Sequence, residues 1–241
     1  MADLSAFIFY ILILLFSVVI HEVSHGLAAL YLGDSTAKYL GRLTLNPLKH
    51  LDFFGSLVVP VITAFAGIPF GWAKPVPYNP YNLRDQKYGP AIVGAVGPLS
   101  NIAIATVFGL MLRFLPFWIA TAEGAAIGVL QGFGEMFLMI VRVNLLLAVF
   151  NLVPIPPLDG SKLLFAILPY RYKYIEGLME QYGLFLLLFF IFFGFHLVTP
   201  LIDGLFRLIV GQRLFFLKGY LTVGARPATL FRVYANHPST H

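Results

Sequence analysis

Long apolar stretches alternate with short polar ones along this chain, and the lengths of the apolar stretches predict its elements. Leu4 to Leu32 can cross a bilayer as one helix, because about 20 residues at about 1.5 Å each span the hydrocarbon core. It lacks the basic start and small-residue cleavage site of a signal peptide, so it reads as a retained helix with its N-terminus outside. Ala91 to Leu115 and Ala125 to Val153 are two further spans, and Gly183 to Val198 is a last strong apolar run. Leu201 to Leu217 is apolar but broken by Asp203, Arg207 and Arg213, which leaves a further crossing open. Phe53 to Phe70 holds Gly55, Pro60, Gly67 and Pro69 and is only about the minimum length for a span, so it is expected to be re-entrant.

The polar stretches carry patterns of their own. Lys38, Leu40, Arg42 and Thr44 alternate with Tyr39, Gly41, Leu43 and Leu45 before Asn46-Pro47, which predicts a short strand or hairpin on the inner side. Trp72 to Pro80 is proline-rich and predicted to be extended. Pro154, Pro156 and Pro157 end the span that begins at Ala125, and extended backbone is expected from Pro154 to Leu158. At membrane depth such backbone is tolerated only where protein or a water-filled cavity satisfies it. The expected fold is an all-α polytopic membrane protein of about five to six membrane segments, with one re-entrant segment and a short membrane-associated β-hairpin. Residues 1–217 form one transmembrane domain in this reading, and 218–241 a polar, basic tail.

Composition sharpens the membrane assignment and removes other classes. Hydrophobic residues make up 59% of the chain and charged residues 11%, against roughly 25% charged in a soluble domain. With no cysteine there is neither a disulfide nor a thiolate ligand, so any metal is held by His, carboxylate and water. The net charge of +5 comes from basic residues scattered between apolar runs, which fits the positive-inside bias and not a nucleic-acid patch. Lys38, Arg42, Lys49, Lys74, Arg84, Lys87, Lys162, Arg171 and Lys173 then lie inside, against Arg113 outside.

The chemistry concentrates in His21-Glu22-Val23-Ser24-His25, near the end of the first span. On a helix the two imidazoles lie one turn apart on one face, where they can grip one metal with Glu22 beside it. Ionisable groups at membrane depth are costly, and three in one turn have no structural reason to be there. A catalytic zinc takes three protein ligands and keeps a fourth position open for water; Asp159 is the best third ligand. Asp159 alone would divide evenly between helix N-cap and ligand, and the two motifs together decide for ligand. Asn151 and nearby backbone amides could steady an oxyanion or hold a substrate strand. His196 and Asp203 are separated by Pro200 and read as structural or interfacial; Glu135 and Arg142 read as an ion pair; His50, His237 and His241 read as solvated.

His21-Glu22-Val23-Ser24-His25-Gly26, together with Asn151 to Gly160, resembles the two signatures of the site-2 protease family of intramembrane zinc metalloproteases. Asn46-Pro47 with Asp52 and Gly55, Gly71 to Pro77, and Gly97-Pro98 with Asn101 are similar to that family as well, so the resemblance runs from roughly Phe7 to Ile167. It implies one Zn2+ per chain on His21, His25 and Asp159, with Glu22 as general base. It also implies a transmembrane protein substrate, often a tethered regulator such as an anti-sigma factor. The chain has no room for a PDZ or CBS domain. A multi-pass location in the cell membrane follows, with the active site toward the cytoplasmic side and no nucleic acid among its partners. Two other classes are a metal transporter, which needs a polar pathway that few ionisable residues line up to make, and a non-catalytic scaffold, which would lack Glu22 or a ligand.

Overall fold

The computed structural model describes residues 4–52 and 74–211. In chain order the helices are α1 (Leu4–Tyr31), α2 (Thr36–Tyr39), α3 (Gly89–Ala120), α4 (Ala125–Asn151), α5 (Asp159–Ile167), α6 (Lys173–Phe189) and α7 (Val198–Val210). Residues Phe190 to Leu197 carry α6 into α7 through first wider and then tighter helical turns. Four stretches are long and apolar enough to cross a membrane: Phe7–Tyr31, Gly89–Ala120, Ala125–Asn151 and Tyr170–Val210. The protein is a multi-pass membrane protein, and helices are the form its spans take because each satisfies its own backbone without water.

Direction follows from side-chain contacts. His25 meets Val93 and His21 meets Asn101, so α1 and α3 run antiparallel. A short turn through Gly124, at φ +57°, reverses the chain between α3 and α4. Asn144 reaches Ser17, which lays α4 parallel to α1. Small buried residues on α3, including Gly94, Gly97, Ala105 and Gly109, let neighbouring backbones approach, as helix association in lipid requires. Away from the polar centre, Leu112 and Leu115 of α3 pack with Val141 and Leu145 of α4 and Phe206 and Val210 of α7.

Two expectations need correction and two lie outside the described residues. Lys38 to Leu45 is not a strand or hairpin, and no strand occurs among the described residues. Asp34 instead accepts from the backbone N–H and hydroxyl of Thr36, α2 forms, and Gly41 at φ +63° turns the chain out of any extended path. An alternating pattern makes a strand only where a neighbour completes the ladder. Pro154 to Leu158 is also not extended: it folds into tight turns, with Ile155 N–H donating to Val153 O at 2.8 Å and Leu158 N–H to Ile155 O at 2.9 Å. The re-entrant expectation for Phe53 to Phe70 and the tail at 218–241 lie outside the described residues, so four candidate spans stand where about five to six segments were expected.

Candidate metal centre

α1 delivers two imidazoles to one point and the start of α5 delivers a carboxylate to the same point. His21 Nε2 and His25 Nε2 each lie 3.0 Å from Asp159 Oδ2, and 3.0 Å from each other. All three residues are buried. Gly97 of α3 makes the approach possible: a Cβ there would overlap the His25 ring, and would sit 2.7 Å from His21 Cε1.

The outer partners assign the tautomers. His25 Nδ1 lies 2.6 Å from Val93 O, a group that can only accept, so this nitrogen carries the proton. Asn101 turns its amide nitrogen toward two acceptors, Asn144 Oδ1 at 2.9 Å and Ser17 O at 3.3 Å. Its oxygen therefore faces His21 Nδ1 at 2.6 Å, and that nitrogen is protonated too. Asn144 is oriented in turn by donating to Ser17 Oγ and Ile140 O, both at 2.9 Å. In the neutral rings both Nε2 atoms are then bare lone pairs, facing each other and a carboxylate oxygen. Three such donors repel unless a cation lies among them, and two imidazoles with a carboxylate are a donor set that zinc accepts. No other group of three or more His, Asp or Glu residues able to hold a metal occurs among the described residues.

A cavity of about 340 Å³ opens beside the cluster, and Glu22, Val76, Tyr78, Asn151, Pro157 and Lys162 line it with the three donors. Glu22 Oε2 accepts from Val76 N–H at 2.8 Å, in the segment Lys74 to Asn79 that runs along the cavity without helix or turn. Val76 is the only residue of Pro75-Val76-Pro77 with an N–H, so that bond fixes where the segment sits. Asn151 borders the cavity and gives one of its two side-chain N–H groups to Leu147 O, one turn back in α4, at 2.9 Å. His50 is fully buried and not solvated, with Nε2 2.9 Å from Thr44 O.

The profile of peptidase family M50 matches residues 115–194, which include the end of α4 and Asp159. Over 203 residues the chain is 35% identical to YwhC of Bacillus subtilis, a protein named as a zinc metalloprotease; the match covers 83% of this chain and 89% of that one. The chain belongs to peptidase family M50, the site-2 proteases. Rip2 of Mycolicibacterium smegmatis, also named as a zinc metalloprotease, is 35% identical over 147 residues, 61% of this chain and 52% of its own length. No solved structure is a significant match. This M50 protein is thus a membrane metalloprotease, and its family implies zinc.

Several partners in this M50 site were invisible as site residues in the sequence. Asn144 and Ser17 orient the His21 ring through Asn101, and the available signal was a polar amide in the middle of an apolar span. Val76 lies inside the family-like stretch Gly71 to Pro77 with no role of its own there, and Lys162 reads as no more than part of a helix start. Of the pairs set aside, Arg142 and Glu135 form no ion pair with each other; the Arg142 guanidinium lies 5.7 Å over the Phe206 ring. His196 is exposed, outside the site.

Proposed function

We propose that this protein is an intramembrane zinc protease in which His21, His25 and Asp159 hold the metal, Glu22 is the general base, and the substrate is a transmembrane segment of a membrane-anchored protein. The observation that carries the reading is the convergence of three buried donor atoms, with tautomers set from outside, beside a cavity that Glu22 lines. Zinc, when bound, supplies a Lewis acid that brings a coordinated water to a pKa of about 7. Glu22 accepts the proton of the attacking water and returns it to the leaving amine. Its Oε2 is occupied by Val76 N–H, and Oε1, which has no hydrogen bond among the described residues, is the oxygen left to exchange protons. Asn151 donates to the substrate backbone or oxyanion through the second N–H of its amide, the first being held by Leu147 O.

The cavity bears on the form of the substrate. It is open to one side, and the irregular backbone of Lys74 to Asn79 runs along it beside the three donors. A short unwound stretch fits, and unwinding also frees carbonyls that a helix keeps bonded. Lys38, Arg42, Lys74, Arg84 and Lys162 belong to the stretches that flank the site, and by the positive-inside rule this supports a site that faces the cytoplasm.

Metal analysis of the purified protein alongside cleavage of tethered substrates tests the assignment. The wild type should hold one zinc; His21→Ala, His25→Ala and Asp159→Ala should lose both zinc and cleavage. Glu22→Gln should keep the zinc and lose at least ~100-fold in rate, the low end of general-base contributions. Wild-type cleavage by Glu22→Gln would falsify the mechanism.

A further inference from the structure

We infer that Lys162 is a positioning residue that holds Asp159 as a ligand through one oxygen only, so that the metal stays four-coordinate with water as its fourth ligand. The inference rests on the proposed ligand set and adds a residue to it. The two oxygens of Asp159 are divided between two tasks. Oδ2 faces both imidazoles, while Oδ1 is 2.8 Å from Lys162 Nζ. A carboxylate beside a divalent cation is free to close onto it with both oxygens, and with water also bound this would make the site five-coordinate and take the position that a substrate carbonyl needs. An ammonium on Oδ1 opposes that closure.

Lys162 is fixed in this role from three directions. It sits one turn after Asp159 on α5, which places the two side chains on the same face. Its stem packs against α3 where residue 94 is glycine: a Cβ there would lie 3.0 Å from Lys162 Cδ and 3.2 Å from its Cβ. The Tyr78 ring lies 5.6 Å from Nζ, within cation–π range. Among the described residues Lys162 is also the only lysine or arginine lining the cavity. Its positive charge offsets part of the negative charge that Asp159 brings, so the ligand set weakens the metal as a Lewis acid less than a free carboxylate would.

Cobalt substitution reads the coordination number without turnover. The full-length protein in detergent would be loaded with Co2+ and its visible bands recorded, which are strong for four-coordinate cobalt and weak for five-coordinate. Wild type and Lys162→Arg should show the strong bands at one cobalt per chain; Lys162→Met should keep the cobalt and show weak ones. Strong bands in Lys162→Met at full occupancy would overturn the inference, as would weak bands in the wild type. If Lys162→Met does not fold, Lys162→Leu removes the ammonium and keeps an apolar stem, and strong bands there at full occupancy overturn it equally. Failure of the ligand assignment looks different: the wild type would bind no cobalt, or His21→Ala would bind it as tightly.

Discussion

At the scale of single residues, most buried polar groups among the described residues are held by a named partner, His50 Nδ1 and Arg42 Nε being exceptions, and the cost of losing a partner is predictable. Asp34 is the clearest case outside the metal centre. It is buried just beyond the end of α1, and four donors converge on it: Thr36 N–H and hydroxyl, Asn82 Nδ2 and Asn79 N–H. Burial alone would push its carboxyl up, but these hydrogen bonds outweigh it and hold the group below its ordinary value of 3.8. A carboxylate depressed in this way contributes stability that is present above the unfolded value and lost as pH falls through the folded one. Asp34→Asn should therefore destabilise the protein by about 1–3 kcal/mol at pH 7, as expected for a buried hydrogen-bonding group left mismatched. The gap from wild type should close as pH falls below the carboxylate range. Thermal unfolding in detergent across pH 3 to 7 measures both; a gap that widened in acid would contradict the account.

Between elements, the deciding contact is α1 against α3. The two helices approach closely enough for Val93 and Asn101 to reach the histidine rings only because Gly97 presents no side chain between them. Gly97→Val should force the rings off their shared point and weaken zinc binding by about 10- to 100-fold, the range seen when outer partners of a metal ligand are lost. Gly132→Ala on α4 is the control, since a Cβ there meets nothing within 4 Å. Competition against a chelator of known affinity gives the ratio, and equal zinc affinities in the two variants would mean that α3 does not set the site. Gly160 performs a similar service for α5, where a Cβ would overlap the Leu152 carbonyl. That close packing lets a proline-rich turn end with Asp159 aimed back at α1.

For the whole molecule, the argument concerns depth and direction. α1 and α4 run the same way with α3 between them, so His25 and Asp159 meet at one end of the bundle, and Arg84 N–H bonds Leu32 O at 2.9 Å at that same end. Cysteines introduced at positions 44 and 84 should accordingly be labelled from the same membrane face; labelling from opposite faces refutes the arrangement. The bonded carbonyls of a helix set the substrate prediction: Gly or Pro near the inner end of a substrate span should speed cleavage, and a Leu-rich stretch there should slow it. A substrate series indifferent to helix stability would reject the requirement for unwinding. Much of this was legible in the chain itself. Apolar length alone determined the spans, because lipid leaves helix as the only local solution, and His21, Glu22 and His25 fall on one turn of a helix by spacing. Asp159 was reachable too, through its motif. The strand expected at Lys38 to Leu45 failed because alternation names a strand only if a neighbour pairs with it, and Asp34 offered the backbone a turn first. Asn144, Val76 and Lys162 lie 43, 54 and 3 residues from the groups they hold, Asn101, Glu22 and Asp159. No spacing in the sequence pairs them with those groups, and only tertiary packing decides that Asn144 accepts from Asn101 while Val76 N–H and Lys162 Nζ donate to Glu22 and Asp159.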